Sequence, residues 1–386
     1  MKKALVIGTG IGAATTVLEL NKLGGWEILM VDRSPVLGGG VATRYIGGHP
    51  CTLGPRHFLT HDEAIFAYLN DVVPLRRCAE HQFLSYVEDD RAFYNYPIHE
   101  DDILRMPDKD KIQSEINNLE EKFRYQQYLL TSGASGVVTT AKNYRDFWLR
   151  SVGPTLYRKF IERYTKKMWL VDDESIIDDF TWSPKGVAIK KGDRAGWDTA
   201  ISAYPKELDG YDPILRLAAN LAVVRLGTRN VSIEPGTTKA EIDGVAINFD
   251  AIFSTAPSDD LFSNCFGRLN FIGRQVEYVV LPVAFALPSD VYFCYYTGAE
   301  GYTRVTEYKK FTSYKSDQTL ISIERPDRDR GRYYPMPTSE AQTLHKKYEQ
   351  LFANRFFTIG RLAKFNYRYD IDDSIAQAIE AVQILA

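Results

Sequence analysis

The sequence predicts an α/β fold in which a Rossmann-like nucleotide-binding domain is joined to a helical domain and an antiparallel β-sheet domain. Three observations predict it. Lys3–Gly8 is a short apolar run ending in glycine; Gly8–Ala13 reads Gly-Thr-Gly-Ile-Gly-Ala; a second apolar run, Trp26–Asp32, follows a helically spaced stretch. Asp101–Arg150 is rich in Glu, Lys, Gln and Leu and poor in Gly and Pro. Further on, Arg274–Ala286, Ser289–Tyr296, Tyr302–Phe311 and Thr319–Glu324 are four strand candidates with turns between them.

Taken in order, the first strand, the glycine loop, the helix Ala13–Leu23 and the strand Trp26–Asp32 make a βαβ unit, whose strands pair in parallel by default. His61–Asn70 reads as a helix. Helices are expected over roughly 110–130 and 140–167, and Lys185–Pro205 as loop and short strand. Asp212–Ala222 reads as a helix and Asn230–Ala256 alternates like strands. Thr338–Asn354 is helical, Phe356–Gly360 is a strand and Asp372–Leu385 is a closing helix. The expected division is discontinuous. Residues 1–75, 205–258 and 335–386 form the nucleotide-binding domain and 95–150 the helical domain. Residues 76–94, 151–204 and 259–334 form the sheet domain, which holds the substrate.

Composition removes several function classes. Of 386 residues, 47 are basic and 50 acidic, a net charge of −3, so no cationic surplus exists to neutralise a nucleic-acid backbone. The apolar run around Tyr278–Leu287 is interrupted by Pro282 and is shorter than the ~20 residues that span a bilayer. Cys51, Cys78, Cys265 and Cys294 lie far apart without a CxxC pair, so neither a disulfide framework nor a metal site is expected. The opening MKKALVIGTG turns to glycine after a few apolar residues; no signal peptide is expected, and the expected location is cytoplasmic. The 24 Tyr, 20 Phe and 5 Trp suit half-wet clefts that bind sugars or rings.

In the glycine loop, Gly8 allows a tight turn and Gly10 lets the backbone approach a pyrophosphate at the N-terminus of a helix; Gly12 and Ala13 complete the pattern. Asp32, about 20 residues on, is placed to accept from a ribose hydroxyl. It is followed by Arg33 and then by Gly38, Gly39 and Gly40. A nicotinamide dehydrogenase has no need of this second glycine turn, so FAD is preferred over NAD. In Phe356–Leu362 a strand leads into Gly360-Arg361, where a guanidinium fork can meet a pyrophosphate; the competing reading is a surface arginine.

Beyond these motifs the chain resembles the UDP-galactopyranose mutase family. The resemblance rests on Tyr164-Thr165-Lys166-Lys167-Met168-Trp169, on Gly301–Lys309 with its Tyr-Thr-Arg-x-x-Glu-x-Lys pattern, and on Tyr333-Tyr334-Pro335-Met336-Pro337. Asn95-Tyr96-Pro97-Ile98, Phe266-Gly267-Arg268-Leu269 and Gly360-Arg361-Leu362 also fit. The resemblance implies a mutase that interconverts pyranose and furanose forms of a nucleotide-diphosphate sugar. Reduced FAD serves there as the nucleophile, through N5, at the anomeric carbon. An external reductant is then needed for the flavin, and a homodimer is left open as a partner state. The resemblance further implies that Arg304 holds the substrate diphosphate, that Tyr334 and Tyr333 offer hydroxyls to it, and that Tyr164 and Trp169 line the cleft. For Arg304 the competing reading is an ion pair with Glu307 or Glu277, and for the aromatic residues it is core packing.

The sequence departs from the family at Gly54-Pro55-Arg56-His57-Phe58-Leu59-Thr60, where the family carries Gly-Pro-His-x-Phe-His-Thr. Arg56 and Leu59 replace both family histidines, and Arg56 and His57 are taken as the catalytic candidates of this stretch. The family's loop arginine has Lys190, Lys191 and Arg194 as its nearest counterparts, of which Lys190 is chosen for the substrate. Tyr367 and Tyr369 are the candidates for its closing tyrosine. These changes predict a best substrate other than UDP-galactose, such as a 6-deoxy sugar. The alternative is an FAD-dependent oxidase or desaturase of the amine-oxidase type, which needs neither Arg304 nor Tyr333-Tyr334-Pro335. A non-catalytic flavoprotein is a third reading.

Overall fold

A computed structural model describes residues 1–78, 81–119, 141–180, 188–196 and 200–386. Among them, one of the two large sheets is wholly parallel. Its five strands lie in the order Val223–Leu226, Trp26–Asp32, Lys2–Ile7, Ala251–Ser254 and Phe356–Thr358. Ala4, Leu5, Val6 and Ile7 are all buried, as are the four residues of Ala251–Ser254. A strand covered on both faces reads as a continuous apolar run, which is why length and branching located Lys2–Ile7. The helices Ile11–Leu23, Asp212–Asn220 and Ile371–Gln383 pack together beside this sheet. Chain order reverses on either side of Lys2–Ile7, and a crevice opens outside the strand ends at such a switch point. The glycine loop lies there.

The second large sheet has seven strands among the described residues: Tyr334–Pro335, Phe271–Leu281, Thr319–Asp327, Arg304–Glu307, Val291–Tyr296, Gln82–Val87 and Ala92–Tyr96. It is antiparallel except where Val291–Tyr296 runs parallel to Gln82–Val87. The strand expected over Tyr302–Phe311 is corrected: Arg304–Glu307 is a strand, and Tyr308–Thr312 is a helical turn. Two carbonyl cages explain the change. Lys309 Nζ donates to the carbonyls of Ala284, Gln318 and Ser316. Lys310 Nζ donates to those of Leu287, Pro288 and Ser289. In a strand these neighbouring lysines would point to opposite faces; a helical turn lets both hold the same loop.

The helix expected over 110–130 is seen as Lys109–Asn117, and residues 120–130 of that expectation lie outside the described residues. The one expected over 140–167 is interrupted. Tyr144–Leu156 breaks at Gly153, with φ at 82°, and Pro154. A π-helical turn, Tyr157–Glu162, follows and leads into Arg163–Trp169. Glu115 fixes the break by accepting from the Thr155 N–H at 2.8 Å and its hydroxyl at 2.7 Å. The result aims Tyr164 and Trp169 at the second sheet. Among the described residues no helix is long and apolar enough to cross a membrane.

Glu307 closes the sheet's rim. Fully buried, it accepts from the backbone N–H groups of Ala286 and Leu287 at 2.9 and 3.0 Å and from the Thr319 hydroxyl at 2.6 Å. Glu307→Ala leaves three donors, among them the buried Thr319 hydroxyl, without their acceptor and is expected to cost about 1–3 kcal/mol. Urea unfolding of the two proteins measures this; a loss below about 1 kcal/mol would show that water replaces the carboxylate without penalty.

Candidate active site

A cavity of about 520 Å³ lies at the carboxyl ends of the parallel strands. Gly8, Gly10, Gly12, Asp32, Arg33, Gly38, Gly39, Gly40 and Arg361 all line it. Gly8 has φ at +107°, and a Cβ there would meet Thr255 Oγ1 at 2.0 Å, so only glycine permits the turn. At Gly12 a Cβ would press on Ile359 Cγ2 at 2.8 Å, which sets the close packing of helix on strand. Gly10 differs: its nearest neighbour would be 3.9 Å away, leaving open space for a ligand to approach the backbone. Gly10 also caps Ile11–Leu23 without any side-chain acceptor, and the first turn holds no acidic residue. Its N–H groups are therefore available to an anion.

A network that the sequence reading missed ties these parts together. Thr9 Oγ1 donates to Asp32 Oδ2 at 2.6 Å and accepts from the Gly38 N–H at 3.1 Å, joining both glycine turns to the acidic strand end. Asp32 Oδ1 accepts from the Ser34 N–H at 2.8 Å. These residues fit a dinucleotide. Arg33 is exposed and lies 3.6 Å from Asp260. Ala13 is fully buried in the helix–sheet core and serves packing, so its assignment to the cofactor is corrected.

A second cavity, of about 220 Å³, adjoins the first. Arg56, Arg361, Asp370 and Ile371 line both. Its floor is aromatic. Tyr164 meets Tyr295 edge-on with centroids 5.5 Å apart, Trp169 meets Tyr367 at 5.1 Å, and Tyr367 meets Tyr334 at 5.5 Å. Its wall is cationic, with Arg56, Arg274, Arg304 and Arg361 all on it. Arg304 gives Nε and Nη2 to Glu324 Oε1 and Oε2 at 2.9 and 2.7 Å. The ion pair weighed for Arg304 is thus made, but to the facing residue of the next strand. Glu307 is spent on its caps, and Glu277 meets Arg325. Arg361 gives Nε to the Tyr369 carbonyl at 2.9 Å and Nη2 to Asp370. Arg56 gives Nε to the Leu53 carbonyl at 2.9 Å, while its own carbonyl accepts from the Tyr211 hydroxyl at 2.6 Å.

His57 lines the second cavity and stacks on Phe311 at 5.6 Å, with His81 edge-on at 5.4 Å. Tyr333 and Tyr369 line the first cavity instead of the second. Lys190 lines neither. It is buried, and its ammonium donates to the Ala195 carbonyl, so its assignment to the substrate is corrected. Lys191 and Arg194 are likewise committed, to Glu100 at 3.3 Å and to Asp102 at 2.9 Å. Sequence reasoning missed Arg274, which is buried, donates to the Gly273 carbonyl at 2.8 Å and lies 4.5 Å from the Tyr334 ring centre. A charged residue at the start of an apolar strand was the available signal.

Tyr334 stands amid these cations. Burial pushes its phenol up, but the guanidinium groups of Arg274, Arg304 and Arg56 outweigh that and hold it below the ordinary tyrosine value, against the opposing Glu324 charge. A lowered phenol ionises at lower pH, so ultraviolet titration should show an early tyrosinate step that Tyr334→Phe abolishes. Superimposable titrations of the two proteins would mean that the arginines do not act on this ring.

With the geometry in place, comparison with known proteins gives a consistent result. The UDP-galactopyranose mutase family model matches residues 159–369, and a model of NAD(P)-binding Rossmann-like domains matches residues 6–72. The dTDP-fucopyranose mutase of Escherichia coli is 23% identical over 415 residues, covering 100% of this chain and 98% of the relative. Among solved structures, reduced UDP-galactopyranose mutase superposes with a TM-score of 0.79 at 15% identity, covering 100% of this chain and 95% of that one. Putrescine oxidase bound to putrescine does so with a TM-score of 0.62 at 12% identity, covering 100% and 98%. At these identities the two structures show a shared fold, whereas the family model spans more than half of the sequence and takes in both Tyr164–Trp169 and the Arg304 strand. The chain therefore belongs to the UDP-galactopyranose mutase family.

Proposed function

We propose that this chain is a flavin-dependent mutase interconverting pyranose and furanose forms of a nucleotide-diphosphate sugar. The observation that carries the reading is the cationic wall of Arg56, Arg274, Arg304 and Arg361, set where a dinucleotide cavity meets an aromatic one. A wall of guanidinium groups suits a diphosphate. It opposes a cationic amine, which argues against the amine-oxidase alternative.

In this reading FAD lies along the glycine loops, with its pyrophosphate at the Ile11–Leu23 N-terminus and a ribose at Asp32. When bound and reduced by an external donor, it supplies a nucleophilic nitrogen, N5, for the anomeric carbon. The chain's own residues do the rest. Arg304 and Arg274 hold the diphosphate before and after it leaves the sugar, so that it returns to the same face. Tyr334 donates to the same anion. Arg56 and Arg361, shared by both cavities, fix the distance between cofactor and substrate. Tyr164, Trp169 and Tyr367 cover the sugar and the base and keep water out. His57 stays a catalytic candidate through its place on the cavity wall beside Arg56.

Leu59 lines the substrate cavity together with Pro55, His57 and Ile371. A sugar hydroxyl facing this leucine loses a partner, at a cost of roughly 1–3 kcal/mol, whereas a methyl group gains contact. We therefore take a 6-deoxy sugar as the preferred substrate, in keeping with the dTDP-fucopyranose mutase among its relatives.

The test is turnover of UDP-, dTDP- and GDP-linked pyranoses by FAD-loaded protein, with product analysis by NMR. Activity is expected only after dithionite reduction, without net consumption of reductant, and with a 6-deoxy sugar giving the highest kcat/KM. Stoichiometric electron use would contradict the mutase reading. A preference of tenfold or more for UDP-galactose would contradict the specificity argument alone.

A further inference from the structure

The Arg304 guanidinium faces a site for an anion, yet it shares that site with a buried carboxylate. Glu324 lines the cavity, and its side chain is only 3% exposed. It lies directly across the sheet, since Arg304 pairs with Glu324 in the strand register. The Glu324 carbonyl also accepts from the Thr303 N–H at 2.9 Å, so backbone and side chain both hold the arginine strand. Gly54 lies beside the pair. A Cβ there would lie 3.5 Å from Arg304 Nη2 and 3.6 Å from Glu324 Oε1. Beneath the guanidinium, the Phe293 ring centre is 5.6 Å away.

Arginine carries five N–H groups. Glu324 takes one from Nε and one from Nη2, which leaves both on Nη1 and the second on Nη2 for a ligand. Two parallel hydrogen bonds fix the plane of the fork as well as its position. The same carboxylate repels any phosphate that the fork binds, and in a partly buried site this repulsion is weakly screened. Glu324 therefore gives up affinity in exchange for orientation.

We propose that Glu324 is a positioning residue that aims Arg304 at the diphosphate and at the same time limits how tightly the diphosphate is held. The inference rests on the proposed function. It sets the effects of Glu324 on binding and on turnover in opposite directions, which a merely structural role would not do. Glu324→Gln removes the repelling charge and one of the two acceptors. It should tighten binding of UDP or dTDP by roughly three- to tenfold while lowering kcat by roughly tenfold through the loosened fork. Arg304→Ala, by contrast, should weaken that binding by more than roughly thirtyfold.

The experiment is calorimetric titration of FAD-loaded wild type, Glu324→Gln and Arg304→Ala with UDP and with dTDP, alongside kcat of the reduced proteins. Flavin content and thermal unfolding serve as controls for folding. If Glu324→Gln does not fold, Glu324→Asp serves in its place. It keeps the charge but shortens the reach, so kcat should fall without tighter binding. Weaker binding by Glu324→Gln, comparable with Arg304→Ala, would overturn the proposal, as would unchanged affinity and turnover. If wild type binds neither nucleotide, the proposed function falls and this inference falls with it. If wild type binds and the variants do not split affinity from turnover, this inference falls alone.

Discussion

A guanidinium taken out of water is costly unless an anion meets it, and this molecule gathers four around the smaller of two adjoining cavities. The protein answers only part of that charge. Glu324 takes one edge of Arg304, and Asp370 takes one nitrogen of Arg361. Arg274 and Arg56 have backbone carbonyls, which are dipoles and not charges. Tyr334 shows the surplus, since three of the guanidinium groups pull its phenol down despite burial. In the proposed function the remaining positive potential is what draws in a diphosphate. The aromatic lining beside it suits the same proposal: rings supply area for a sugar and a base without adding competing charge.

The fold supplies the precision this needs. Parallel strands bring the glycine turns and Asp32 to one edge, and Thr9 bonds both turns into a single unit. The strand Phe356–Thr358 ends at that edge, so Arg361 emerges between the two cavities. The second sheet delivers Arg304 and Glu324 by register, and Arg274 from the strand beyond. Gly273 allows the chain to pass close to Arg330, where a Cβ would meet the Arg330 carbonyl at 2.1 Å. Arg274 and Arg304 thus ride on sheet strands and Arg361 follows the edge of the parallel sheet, while Arg56 enters from the loop before Phe58–Thr60; the loop lysine does not join them.

What was legible in the sequence was what depends on near neighbours. Gly8, Gly10, Gly12 and Asp32 are linked by local spacing, and Trp26–Asp32 is the strand its branching suggested. The Arg304 site was legible as a pattern of types, but its partner was not. Glu324 is twenty residues away and meets Arg304 only through cross-strand register. Tyr308–Thr312 was misread as strand because the carbonyl cages of Lys309 and Lys310 form only once the 284–289 loop is folded. Lys190 was misassigned because its ammonium turns back to the Ala195 carbonyl of its own loop, while the carboxylates at 100–102 that hold Lys191 and Arg194 are brought in by tertiary contact. Arg274 escaped notice because a single charge in an apolar strand has no local signature of its role.

The central claim is that the arginine wall retains a diphosphate while its bond to the anomeric carbon is broken and remade. The most direct measurement is positional isotope exchange. A nucleotide sugar carrying heavy oxygen at the anomeric carbon–phosphate bridge is incubated with FAD-loaded protein, and the label is followed by phosphorus NMR. The account predicts that, in the reduced protein only, label moves from the bridge to a non-bridging oxygen of the distal phosphate. That exchange should be at least as fast as furanose formation. Furanose formation with the label left entirely in the bridge would contradict it.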